Sequence, residues 1–331
     1  MTASQTTTRA YKAVTKVVLS VAQAEGVGAI VRRSIGTHQL RNLDPFLMLD
    51  EFSVNPGAGF PDHPHRGFAT VTYMLGGSFD HEDFCGHKGR INPGDLQLVV
   101  TDKFLLTTMS YINAPLSFLR SPRWMTAGRG ILHAEMPNPA STETAHGLQL
   151  WVNLPAKDKM TKPTYQELPN TDVPRAQSPD GGAVVKVIAG DSYGVRAKVV
   201  TNSPILYLDV VLEKDKVFEQ VIPENWTAFV YTLEGGEIEV GSDATRVGPH
   251  NTVVLGGEGD SLTVKAVNKA HFVVIGGQKI NEPIVQHGPF VMNTRDEILQ
   301  AFTDYERGVN GFEGSKKWAS KIAARGGSVE F

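Results

Sequence analysis

The strongest constraint on the fold of this chain is the rhythm with which short apolar runs are broken by turn residues. His146 to Leu154 alternates, with Leu148, Leu150, Val152 and Leu154 on one side, as a half-buried β-strand requires. Thr70 to Leu75 alternates in the same way and runs into Gly76-Gly77, and Asn92-Pro93-Gly94-Asp95 makes a strong turn before another strand. Because 33 glycines and 19 prolines supply turns along the whole chain, an all-β architecture is favoured over a helical one. A length of 331 residues suits two domains. The polar stretch 156–182 contains four prolines and reads as a linker. Beyond it a second series of strands includes Ala183–Ala189, Arg196–Val200, Ile205–Leu212, Asn251–Leu255 and His271–Ile275. The expected organisation is a disordered tail over 1–13, a first domain over 14–155, the linker, and a second domain over 183–331. Near the end, Thr294 and Glu297 have capping-box spacing, and Ile298, Leu299, Phe302 and Tyr305 form an apolar face that stops at Gly308. One packing helix is expected there.

Two short pairs carry the chemistry: His63-Pro64-His65 and His133-Ala134-Glu135. Each is spaced i, i+2, so on a strand both side chains of a pair point to the same face. Two such strands side by side aim three imidazoles and one carboxylate at one point. That donor set suits a divalent first-row transition metal, with iron or manganese well accommodated. Arg66-Gly67 follows the first pair and Gly128-Arg129-Gly130 leads into the second, where glycine lets backbone crowd close to a centre. Arg66 and Arg129 either balance charge near the metal or pair with surface acids. The expected metal ligands are His63, His65, His133 and Glu135.

Long motifs surround these residues: DPFLMLDEF at 44–52, GFPDHPHRGFATVTYML at 59–75, GSFDHEDFCGHKGRINPGDLQ at 77–97, WMTAGRGILHAEMP at 124–137, HGLQLWVNLP at 146–155 and QHGPFVMNT at 286–294. They resemble the pirins, over nearly the whole chain from about Val14 to about Lys321. The resemblance implies two cupin domains, each a jelly-roll or double-stranded β-helix, in a bicupin arrangement with a short C-terminal helix. It implies one iron in the N-terminal domain on the same four residues, with manganese, nickel, cobalt or zinc as possible substitutes, and a C-terminal domain without metal. It also implies quercetin 2,3-dioxygenase activity on a flavonol with O2, in which Glu135 serves as general base. The alternative it implies is a nuclear co-regulator, with no enzymatic activity, that binds transcription factors and is switched by the oxidation state of its iron. A zinc-based hydrolase or isomerase on the same scaffold is a third reading.

One segment departs from the pirin pattern. In pirins the strand ending GDLQ runs directly into WMTAGRG, whereas here residues 98–123 intervene, apolar and without a glycine. A surface insertion is tolerable in chain entropy but would expose apolar surface. Translated non-coding sequence, such as an unspliced intron, is the favoured reading.

Other features narrow the function. The net charge of −3, with acids and bases mixed, gives no electrostatic basis for direct nucleic-acid binding. No run of about 18 to 20 apolar residues is present to span a membrane. The lone Cys85 excludes an intrachain disulfide and fits a reducing compartment, cytoplasm or nucleus. The Thr-rich N-terminus, free of acids until Glu25, reads as a tail, with organelle targeting as the other option. A monomer is expected. Cys85 with His81 and His87 is a weak zinc candidate, and His81 and Glu82 fit better as pocket lining or as partners of the ligands. Asp44 and Asp50 read either as a cavity edge or as satisfied core acids. His250, His271 and His287 read as packed or surface histidines.

Overall fold

The computed structural model describes residues 9–25, 28–98, 125–163, 166–199, 201 and 203–325. Strands dominate, and Arg295–Arg307 is the one α-helix among the described residues. The all-β class and the cupin architecture follow from two units, each built of two sheets facing across an apolar core.

One unit comprises residues 21–173, 198–203 and 280–331. Its larger sheet runs, edge to edge, Gln166–Leu168, Leu96–Leu98, Phe68–Gly76, Ala145–Asn153, Phe46–Val54, Ala29–Ile35 and Ala22–Glu25, with Met125–Thr126 added beside Phe68–Gly76. Its smaller sheet runs Phe60–His65, Ile131–Pro137, Phe79–Asp83 and Lys88–Ile91. All these ladders are antiparallel. Val31, Phe52 and Val54 from the larger sheet meet Phe79 and Ile91 from the smaller one, and Phe52 stacks on Phe79 with ring centroids 5.2 Å apart. In the strand Ala145–Asn153, Leu148 and Leu150 are fully buried, as their alternation requires. Its opposite face, expected to be polar and solvated, carries Gln149 and Trp151, which are half-buried and line a cavity.

The other unit comprises residues 1–20, 174–197 and 204–279. Its larger sheet runs Val14–Leu19, Asn251–Leu255, Thr227–Gly235, Ala270–Gly277, Ile205–Leu212, Ala183–Ala189 and Arg175–Gln177, facing a smaller one of Val217–Val221, Ser261–Ala266, Ile238–Val240 and Thr245–Val247. Phe218, Leu262 and Val264 pack against Val187, Val230 and Phe272 between them.

The division expected from the sequence, 14–155 then 183–331, is replaced by an interleaved one. Val14–Leu19 pairs with Asn251–Leu255 rather than with its chain neighbours, and residues 280–331 belong to the first-described unit. Alternation shows that a segment is a strand, but it does not show which distant strand accepts its hydrogen bonds. The expected linker also contributes a strand to each unit, Gln166–Leu168 and Arg175–Gln177. The expected strand Arg196–Val200 is only the short Val195–Arg196. The 98–123 reading falls almost wholly outside the described residues.

The helix has the expected capping box, with Thr294 Oγ1 accepting from the Glu297 amide and the Glu297 carboxylate accepting from the Thr294 amide. Gly308 closes it with φ of 67°. Ile298 is buried and Phe302 and Tyr305 pack beside Phe290 and Phe312, but Leu299 is exposed, off the packed face. Asp304, which the apolar pattern passes over, is buried.

Candidate metal centre

The smaller sheet of the first-described unit carries both histidine pairs. Phe60–His65 and Ile131–Pro137 are adjacent antiparallel strands in which His133 stands directly opposite His63. The side-chain period of two then puts His65 on the same face as His63. The ring centroids lie 4.8 Å apart for His63 and His65, 4.4 Å for His63 and His133, and 5.0 Å for His65 and His133. One ring nitrogen from each falls within 4.8 Å of the others.

The donor set fits a metal ion. His65 Nδ1 and His133 Nε2 are buried without a hydrogen-bond partner. Each such orphan costs about 1–3 kcal/mol unless something satisfies it. Burial, and then the neighbouring histidines, pushes both imidazoles well below their ordinary pKa, so both are neutral with lone pairs to offer. His63 Nδ1 lies 2.7 Å from the Pro61 carbonyl, so a proton there donates to it and leaves Nε2 free as a ligand atom. The three histidines can therefore hold a metal ion.

Glu135 stands outside that cluster, two residues after His133 on the same strand and buried. A bulge between the two shifts its pairing to Phe60 on one side, while His81 is its partner on the other. Thr72 Oγ1, 3.1 Å away, donates to Glu135 Oε1. Burial raises the Glu135 pKa against the opposing pull of the surrounding histidines and Thr72.

His63, His65 and Glu135 line a cavity of about 920 Å3, together with Gln149 and Trp151. The Trp151 ring meets His65 edge-on at 5.3 Å. Asp50 is both things the sequence allowed, a cavity wall and a satisfied acid, since Arg33 holds its carboxylate through two nitrogens at 2.9 and 2.8 Å. Asp44 instead accepts from the Asn281 amide.

Arg66 does not balance charge at the metal. It turns away, and its Nε donates to the Arg129 carbonyl at 2.6 Å, Nη1 to Asp304 at 2.8 Å and Nη2 to the Asn310 carbonyl at 2.7 Å. Its guanidinium also covers the Phe312 ring. One buried side chain thus joins the end of the first histidine strand, the loop leading to the second, and the C-terminal helix. Gly67 and Gly130 are needed in this crowding. Both have positive φ, and a Cβ on Gly67 would meet the Val291 carbonyl at 1.9 Å. The Arg129 side chain is exposed.

Sequence reasoning missed Lys159, which sits buried in the expected linker. Its ammonium donates to the Gly67 and Val291 carbonyls and to Asn153 Oδ1. A lysine in a polar stretch gives no signal of burial. Thr72 was missed too, since nothing in an alternating strand marks one threonine.

The zinc candidate is not assembled. Asp83 accepts from the amides of Cys85 and His87 and from His87 Nδ1, and Cys85 is exposed. Glu82, expected near the ligands, instead accepts from the Lys321 amide.

Comparison with known proteins agrees with this architecture. The Pirin family profile matches residues 28–105 and 121–152, and the profile of the Pirin C-terminal cupin domain matches 207–311. A pirin-like protein of Solanum lycopersicum is 53% identical over 93% of this chain and 96% of its own length. Homo sapiens pirin is 51% identical over 94% of this chain and 98% of its own. Among solved structures, a quercetin 2,3-dioxygenase from Acinetobacter baumannii superposes with a TM-score of 0.77 at 32% identity, covering 90% of this chain and 98% of that one. Sequence, fold and comparison converge, and the chain belongs to the pirin family.

Proposed function

We propose that this protein is an iron-dependent dioxygenase that opens the heterocyclic ring of a flavonol such as quercetin. The observation that carries this reading is the pair of orphan nitrogens, His65 Nδ1 and His133 Nε2, in a histidine cluster of which His63 and His65 line a cavity large enough for a flavonol. Likeness to a quercetin 2,3-dioxygenase supports it.

His63, His65 and His133 would hold the metal, with Glu135 as a fourth ligand within reach of the same cavity. A metal there supplies Lewis acidity and one-electron chemistry. The other roles fall to the chain. Glu135 takes the acidic proton of the flavonol 3-hydroxyl on Oε2, since Thr72 engages Oε1. Trp151 and Phe52 offer apolar faces to the aromatic rings and keep the site dry. In the reaction both oxygen atoms of O2 enter the ring-opened ester. The two ring bonds to C3 break, and C3 leaves as carbon monoxide. The ring supplies the electrons that oxygen accepts, so no further reductant is needed.

The test is oxygen uptake by the iron-loaded protein on adding quercetin, with loss of the flavonol absorbance. Uptake that requires iron is the expected result. Iron retained with no uptake on any flavonol would overturn the reading in favour of an iron-dependent regulator acting through protein contacts. A pull-down that depends on iron oxidation state would then identify that role.

A further inference from the structure

Two of the three arginines that line the cavity have no acid paired with them among the described residues. Of the arginines that line it, Arg33 is engaged by Asp50 through two bonds, with Glu25 at 3.5 Å as well. Glu135, the remaining acid of the lining, is held by Thr72. Arg41 and Arg295 line the same cavity, and no described carboxylate lies within ion-pair distance of either.

The two come from separate parts of this unit. Arg41 lies in the connection between Ala29–Ile35 and Phe46–Val54, and Arg295 is the first residue of the C-terminal helix. Both are exposed, whereas His65 and Glu135 are buried. The arginines therefore stand at the mouth of the cavity and the metal-binding residues at its floor. Ile284 and Pro289 add apolar surface to the same cavity. A guanidinium presents a planar fork of donors that matches a carboxylate or sulfate, and two such forks on one ligand reinforce each other. The cavity volume, near the top of the usual range for small-molecule sites, leaves room beyond a bare flavonol.

We propose that the cavity selects flavonol-type arenes carrying an anionic group, a carboxylate or a sulfate, at the end remote from the reacting ring, and that Arg41 and Arg295 receive that group. This rests on the dioxygenase reading above. It adds a substrate class and a recognition site distinct from the metal-binding residues.

The test compares quercetin 7-O-glucuronide with quercetin 7-O-glucoside, which match in shape and differ by one carboxylate, and adds quercetin 7-sulfate to separate the two anions. Binding to the iron-loaded full chain is measured without oxygen, through quenching of tryptophan fluorescence. The parent should bind the glucuronide or the sulfate about tenfold more tightly than the glucoside. That preference should shrink at high salt, because exposed charges are screened. In the double variant Arg41→Gln, Arg295→Gln the preference should fall to about one, with glucoside affinity within about twofold of the parent as proof of an intact cavity. If the double variant fails to fold, each single variant should lose part of the preference. Equal binding of glucuronide, sulfate and glucoside by the parent overturns the proposal. So does a preference that survives both substitutions, or failure of all three to bind. Oxygen uptake with plain quercetin, followed in parallel, separates the readings. Turnover without anion preference leaves the dioxygenase reading standing, and anion preference without turnover leaves the recognition site standing.

Discussion

The hydroxyl of Thr72 lies 3.1 Å from Glu135 Oε1 and 2.6 Å from Gln149 Oε1, so one proton donor stands between the carboxylate and a residue of the cavity wall. The hydroxyl has one proton to share between the two acceptors, and Oε1 is the Glu135 oxygen it reaches. Glu135→Gln keeps the size and a carbonyl oxygen but loses charge and basicity. Metal content should fall while some iron stays on the three histidines, and flavonol turnover per iron should drop about 10²-fold. Thr72→Val should keep iron and lose about tenfold in turnover, because Oε1 is released and the carboxylate is no longer aimed. Metal analysis together with oxygen uptake separates the two effects. Parent-like turnover by fully loaded Glu135→Gln would mean that Glu135 is no base.

His133→Ala should behave differently. It removes an orphan nitrogen of the cluster, so iron content and turnover should fall together. Iron titration by calorimetry should show weaker binding for His63→Ala and His65→Ala as well. Unchanged affinity in any one of the three would remove that histidine from the site.

The Arg66–Asp304 pair is deeply buried, with side chains 1% and 2% exposed. Arg66→Met leaves an uncompensated buried carboxylate and should destabilise the protein by about 3–5 kcal/mol in urea unfolding. Burial pushes the Asp304 carboxyl up, but hydrogen bonds from Arg66, Gln300 and Asn310 outweigh it and leave its pKa lowered. Its folded pKa therefore lies below its unfolded one, near 3.9. The stabilisation is full above that value and is lost as pH falls through the lowered one. The stability gap between the parent and Asp304→Asn should be wide at pH 7 and narrow steadily in the acid range.

A second pH effect has the opposite sign. His271 Nε2 lies 2.5 Å from Asp209 Oδ1 in the other unit. Burial lowers the imidazole pKa, yet Asp209 and Glu234 together raise it above the ordinary value. That contribution is full below about 6.5 and is lost as pH rises through the raised value. Relative to His271→Gln, the parent should therefore lose stability between pH 6.5 and the alkaline side. Thermal melting across pH 5.5 to 8.5 would show it, and parallel curves would argue against a charged pair.

Within each pair the common face was legible in the sequence, because a strand's period of two is exact. That His133 stands opposite His63 depends on the pairing of two distant strands, which the matching i, i+2 motifs only suggested. The helix end at Gly308 and the cap at Thr294 were legible too, since both are local. The strand Val14–Leu19 was recognisable as a strand, but not its partner Asn251–Leu255, because pairing energy depends on neighbours far along the chain. Likewise the roles of Arg66 and Lys159 exist only once Asp304, Asn310 and Val291 have been brought beside them. Glu135 was read as a ligand and a base, and its hydroxyl partner Thr72 was not legible, because it lies on a strand of the other sheet.

The interleaving of the two units has a consequence for how the protein is made. One unit needs residues 14–19 at the start of the chain and 251–277 near its end, and the other needs 304–312 to complete the surroundings of Arg66. Neither can close until segments far apart in the chain, 238 positions for Arg66 and Asp304, have both been made. The strand Val14–Leu19 is made long before its partner Asn251–Leu255, and the histidine strands long before the helix that pins them. A transcript cut short would yield no working half, only a chain with two open edges for chaperones or proteases to find.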